Sequence, residues 1–216
     1  MKNYYINTIL TFCFFCSVFV SFPVKASLPL AGKVIVVDAG HGGLDPGSLY
    51  KDIYEKDITL SISKFLEKYL SEMGATVVLT RDSDNDLSNG VKNHRKKADF
   101  DERIKIINNK LTNMYLSIHL NFLTDTRYSG AQVFYNHDNK DLANFMQNYL
   151  NKNLGGKREI KKIPSSTYMY SKLKKKGILI ECGFLSNYQE RLKLQDKDYQ
   201  EKIAKVIALA LSDYYI

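Results

Sequence analysis

Two histidines and two glutamates stand where short apolar runs meet polar sequence. His41 follows Val34-Ile35-Val36-Val37-Asp38-Ala39-Gly40, His119 follows Met114-Tyr115-Leu116-Ser117-Ile118, and Glu181 follows Gly177-Ile178-Leu179-Ile180. Glu55 opens an amphipathic stretch just beyond the glycine-rich turn that carries His41. A hydrolytic zinc ion takes three protein ligands of the histidine and carboxylate type and keeps a fourth position for water, whose pKa falls from about 15.7 to about 7. His41, Glu55 and His119 are read as the metal ligands. Glu181 is then placed to take a proton from the activated water and hand it to a leaving amine. Two neutral ligands and one anion leave the ion net positive, and neither ligand type suffers the oxidation that thiolates would meet outside a cell. Asp38 could hold the other ring nitrogen of His41, although a backbone carbonyl could do the same.

Each residue also has a plainer reading. A lone histidine after a strand is often a satisfied loop residue, and Glu55 at a helix start complements the helix dipole by about 0.3–1 kcal/mol. Glu181 is the strongest single signal, because an unpaired carboxylate beside an apolar run is costly. His94 and His137 sit in polar stretches and read as solvated. Cys182 adjoins Glu181 and invites a thiol-nucleophile reading, but a small buried cysteine is the commoner case.

The elements that must position these groups follow from periodicity. Lys33–Val37 reads as a buried strand, followed by a glycine turn to Ser48 in which Asp45-Pro46-Gly47 is turn chemistry. Ile58, Ile62, Phe65, Leu66, Tyr69 and Met73 mark a helix that Gly74 stops, and Thr76–Thr80 a second strand. The polar stretch Asp82–Lys97 lacks periodicity and is assigned to the rim of the site. A helix over about Phe100–Asn109 feeds the strand Met114–Ile118. A further strand over Gly130–Tyr135, a helix through Leu142 and Leu150, a basic loop Lys157–Lys162, the strand Gly177–Ile180 and a terminal helix through Ile203 and Leu211 complete the order. Alternating strands and helices predict an α/β, three-layer fold. Its mostly parallel central sheet is flanked by helices, and the metal site lies at the carboxyl edge of the strands.

At 216 residues the chain suits one domain, residues 33–216, behind a 27–32 linker. Lys2 leads an uncharged apolar stretch from about Ile9 to Val20, and Val24-Lys25-Ala26 offers small residues for a peptidase. Residues 1–26 are read as a cleaved secretory signal, with a retained amino-terminal anchor as the alternative. Cleavage would take away Cys13 and Cys16, leave Cys182 without a disulfide partner, and lower the formal net charge from +8 to +6 through the loss of two lysines. A mildly positive protein suits an anionic polymer such as a cell wall, or simply solubility.

Four blocks now stand in order: Val37-Asp38-Ala39-Gly40-His41-Gly42-Gly43, Glu55-Lys56-Asp57, Ser117-Ile118-His119-Leu120-Asn121, and Glu181-Cys182-Gly183-Phe184-Leu185-Ser186-Asn187. This pattern resembles the zinc-dependent N-acetylmuramoyl-L-alanine amidases of the type 3 family. The resemblance implies one zinc held by His41, Glu55 and His119, and a catalytic Glu181. Ala39 stands where many members have proline; Asn121 and Arg81 also look like family positions, without an assigned role.

The chain is most similar to the sporulation-type amidases of spore cortex, through Ala98–Asn108, Ser129–Tyr135 and a lone catalytic domain without wall-binding repeats. The implied work is removal of stem peptides from peptidoglycan, which prepares muramic acid for lactam formation. The implied place is outside the cytoplasmic membrane, in the cell wall or the forespore intermembrane space. There is no room for the extra helix with which some relatives plug their site, so restraint is expected from a regulatory or activating protein partner or from metal occupancy. Nucleic acid is not, and membrane contact is expected only if the leader is retained. The alternatives are a wall-binding scaffold with a vestigial site and a zinc carboxypeptidase cutting within the stem peptide.

Overall fold

The computed structural model describes residues 28–215; the expected leader lies outside the described residues. Leu30 is fully buried and its N–H donates to Met73 O, so the segment expected as a linker already packs onto the domain.

The elements run β1 (Val34–Ala39), β2 (Leu49–Tyr50), β3 (Ile53–Tyr54), α1 (Glu55–Glu72), β4 (Thr76–Leu79), α2 (Arg95–Ile107), β5 (Met114–Asn121) and β6 (Gln132–Tyr135). Then follow α3 (Lys140–Leu150) with a π-helical turn (Asn151–Gly155), β7 (Lys161–Lys162), α4 (Tyr168–Ser171), β8 (Lys176–Phe184), α5 (Tyr188–Leu194) and α6 (Lys197–Tyr215). Six strands form one sheet in the order β4-β1-β5-β8-β6-β7, and β2 with β3 makes a small hairpin. The first four strands are parallel; β6 runs antiparallel to β8, and β7 parallel to β6. The expected α/β sheet with a parallel centre and flanking helices is the architecture found.

Side chains along a strand alternate between faces, which sorts the core into two layers. Ile35 and Val37 of β1, Leu116 and Ile118 of β5, and Ile178 and Ile180 of β8 face α1, α3 and α6. Val36, Tyr115 and Leu179 face the thinner layer of α2 and α4. By the same alternation Asp38, Ser117, His119 and Glu181 belong to the α2/α4 face.

Two boundaries differ from expectation in a way that matters. His119 and Glu181 were expected at strand ends, but β5 continues to Asn121 and β8 to Phe184. A register shift between His119 and Asn121 lets Asn121 pair with Phe184, which carries both strands beyond the site. The chemistry-bearing side chains of β5 and β8 therefore sit on hydrogen-bonded backbone with Cα partners in direct register, His119 opposite Glu181.

Candidate metal centre

β1 ends at Ala39, and the chain turns over its carboxyl edge through Gly40 to His41, which adopts a left-handed φ of 62°. A non-glycine residue there needs outside support, and two buried arginines supply it. The Arg81 guanidinium donates to Ala39 O, Gly40 O and Lys56 O at 3.0, 2.9 and 2.7 Å. The Arg103 guanidinium donates to Ala39 O and His41 O at 2.8 and 2.6 Å. Nearby, Asp84 accepts from Gly43 N and from Lys56 Nζ at 2.8 and 2.7 Å, so the polar Asp82–Lys97 stretch buttresses the turn from outside.

Glu55 is the first residue of α1 and is nearly fully buried. Its Oε2 accepts from Ser48 N at 2.7 Å and its Oε1 from Leu120 N at 2.8 Å, so backbone from the loop after β1 and from β5 fixes the carboxylate. The same Oε1 lies 3.2 Å from His41 Nε2 and 3.1 Å from His119 Nδ1. One donor atom from each of the three residues lies within 4.8 Å of the others. Ligands bonded at about 2.0–2.1 Å around one tetrahedral zinc stand about 3.3 Å apart, so the set fits such an ion. Gly47, with φ of 69°, is part of the cradle: a Cβ there would stand 2.6 Å from His41 Cδ2 and 2.7 Å from Glu55 Oε2.

The fields in the site follow from this crowding. Burial alone would lower the His41 pKa, but the carboxylates of Asp45 and Glu55 outweigh it and raise it to about 9. Burial would raise Glu55, yet His119 and His41 hold its carboxyl far below the usual carboxylate range. Glu181 behaves in the opposite way. Among the described residues its Oε2 has no hydrogen-bond partner, and burial, reinforced by the Glu55 charge and partly offset by His41, pushes its pKa up to about 8.

The four residues thus meet around one open cleft of about 440 Å³, which Asn121 and Lys96 also line. The remaining expectations fall out differently. Asp38 does not reach the His41 ring: its oxygens are committed to Thr80 Oγ1 and Arg103 at 2.9 and 2.7 Å and to Ser117 Oγ at 2.6 Å. Asp45 Oδ2 instead stands 3.1 Å from His41 Nδ1, off the line of an ideal hydrogen bond. Cys182 points into the core on the opposite face, and burial drives its thiol far above the normal range, which removes the nucleophile reading. His94 and His137 are exposed, as expected.

Asp45 and Arg103 are the participants missed in the sequence. Asp45 was absorbed into its turn, though it stands four residues after His41. For Arg103 a signal exists: Asp99, Arg103 and Ile107 are the buried stripe of α2, so two charges share an apolar face at spacing i, i+4.

Comparison with known proteins agrees with this geometry. Residues 35–213 match the N-acetylmuramoyl-L-alanine amidase family. The chain is 40% identical over 195 residues to a germination-specific N-acetylmuramoyl-L-alanine amidase of Bacillus subtilis, covering 88% of this chain and 82% of the relative. Among solved structures it resembles the CwlD amidase from Clostridioides difficile, determined in complex with the GerS lipoprotein. That match has a TM-score of 0.79 and 38% identity, over 84% of this chain and 98% of the other. The catalytic domain of CwlV, an N-acetylmuramoyl-L-alanine amidase from Bacillus (Paenibacillus) polymyxa var. colistinus, superposes with a TM-score of 0.72 at 28% identity, over 84% and 97%. A match along nearly the whole described domain, carried by close relatives in both sequence and structure, means that the chain belongs to the N-acetylmuramoyl-L-alanine amidase family.

Proposed function

We propose that this protein is a zinc-dependent peptidoglycan hydrolase that cleaves the amide between the lactyl carboxyl of N-acetylmuramic acid and L-alanine, working on spore cortex outside the cytoplasmic membrane. The observation that carries the reading is the pairing of a three-donor cradle with a half-buried glutamate that lines the same cleft. The cortex role is supported by the likeness to the germination-specific amidase. The likeness to a CwlD solved with a lipoprotein supports a regulatory protein partner.

His41, Glu55 and His119 would hold the ion. When bound, zinc supplies a Lewis acid that lowers the pKa of water and polarises the scissile carbonyl. Glu181, with an unpartnered oxygen and a pKa raised to about 8, takes a proton from the attacking water and delivers it to the nitrogen of the departing L-alanine. Glu55, pinned by two backbone N–H groups, keeps its carboxylate ionised and aimed between the imidazoles.

Zinc-loaded protein incubated with cortex or vegetative peptidoglycan should release new L-alanine amino groups. New reducing sugar ends in their place would make it a glycosidase and defeat the assignment. Mass spectrometry of the fragments separates the amidase from a carboxypeptidase acting elsewhere on the stem.

A further inference from the structure

A second, smaller cavity of about 100 Å³ lies against the metal centre on its α2/α4 side. It shares His41, His119 and Asp45 with the open cleft, so the two spaces meet at the imidazoles. Its wall is Phe100, Thr167, Met169 and Tyr170. The charged groups on its floor are all engaged, Asp45 with His41 Nδ1 and Lys96 Nζ at 3.1 and 3.6 Å. Asp38 is bonded to Thr80, Ser117 and Arg103, and Asp99 to Leu87 N and Arg103. Arg103 holds the carbonyls of Ala39 and His41, and the Tyr170 hydroxyl is bonded to Ser117. No charge on that floor is left for a polar ligand, so the space suits an apolar group. A cavity of about 150 Å³ takes a benzene ring; this one suits a smaller aliphatic group.

The scissile amide carries a methyl group on each side, one on the lactyl carbon and one on alanine. Glu181, which must face the amine, comes from β8 and is absent from this cavity. The cavity is bounded by residues of β1 and its loop, His119 of β5, and the α2 and α4 segments, and no residue of β8 lines it. With the amine half over β8, the acyl half lies over this cavity. We propose that the cavity beneath His41 and His119, walled by Phe100, Thr167 and Met169, is the specificity pocket for the methyl of the D-lactyl ether, and that it selects muramoyl over unbranched acyl groups.

This inference rests on the amidase reading above, and the experiment separates the two. Wild-type zinc enzyme is assayed on a muramoyl-L-alanyl peptide and on its analogue with a glycolyl ether, in which that methyl is missing. Preference for the lactyl compound in kcat/KM should be roughly tenfold, the order expected of one methyl in an apolar pocket. Thr167 is partly exposed and its side chain makes no capping bond, so Thr167→Leu fills the cavity with little disturbance of the backbone. In that variant the preference should fall to near unity, with the loss confined to the lactyl substrate. Equal wild-type rates on both compounds, or an unchanged preference in folded Thr167→Leu, would overturn the pocket assignment while leaving the amidase intact. A muramoyl-glycyl substrate whose discrimination is erased by Thr167→Leu would place the amine half there and overturn it too. Wild-type cleavage of none of these amides would refute the proposed function itself.

Discussion

Glu181 and Glu55 are carboxylates near the same two imidazoles, and their surroundings drive them apart. Glu55 accepts two backbone N–H groups and faces both histidines, so it stays an anion. Glu181 faces burial and the Glu55 charge with one oxygen unpartnered, which gives it the proton affinity that a shuttle needs. Replacing Glu181 by Gln should lower kcat by about 10²–10⁴-fold while zinc content stays at one per chain, as read by amine release and metal analysis. Gly47→Ala should act on the opposite quantity: its Cβ collides with His41 and Glu55, so bound zinc should be lost while circular dichroism keeps the helix content. The clustering of His41, His119 and Glu181 was legible because each follows an apolar run, where an ionisable group is conspicuous, whereas Glu55 was legible only as the opening of an amphipathic helix. Asp45 was not, because an Asp-Pro-Gly turn is already explained by backbone chemistry alone.

At the scale of elements, the backbone of the His41 turn is tied to α2 by the Arg103 side chain. Arg103 is 1% exposed and bridges Asp38 of β1, Asp99 of its own helix and the His41 carbonyl. Removing one partner from a buried charge network strands the others, so Arg103→Met should cost about 3–5 kcal/mol in urea unfolding. The pH dependence has a defined sign. Burial alone would raise the Asp38 pKa, but the Arg103 charge and the Ser117 hydroxyl hold it below its unfolded value of 3.8. The wild type therefore keeps this stabilisation above that value and loses it as pH falls through the lower folded pKa. Without Arg103, burial would leave Asp38 with a raised pKa, and acid would relieve it. The stability gap between wild type and Arg103→Met should thus narrow on acidification, measured as urea midpoints from pH 6 down to 3. The helix α1 and strands β1 and β4 were readable from periodicity, whereas the length of β8 was not. Its extension to Phe184 depends on a partner across a register shift in β5, a tertiary relation that no local pattern carries. The antiparallel direction of β6 was hidden for the same reason.

For the whole molecule, the ion should act as a clasp. Its donors come from the loop after β1, the start of α1 and the strand β5, so binding stabilises the folded state alone. Chelation should abolish hydrolysis and lower the melting temperature, and stoichiometric zinc should restore both. At free zinc of 100 times Kd the gain is about 2.7 kcal/mol.

The packing of α1 has one more consequence. This helix carries Glu55 at its first turn and rests chiefly on α6, the last element of the chain. The proposed donors His41, Glu55 and His119 all precede β8, while Glu181 and α6 follow them. As the chain is synthesised from its amino end, the metal donors emerge first, but the helix that seats Glu55 and the strand that supplies the proton carrier arrive last. In this order the full set of site residues and the packing of α1 are in place only once β8 and α6 have been made.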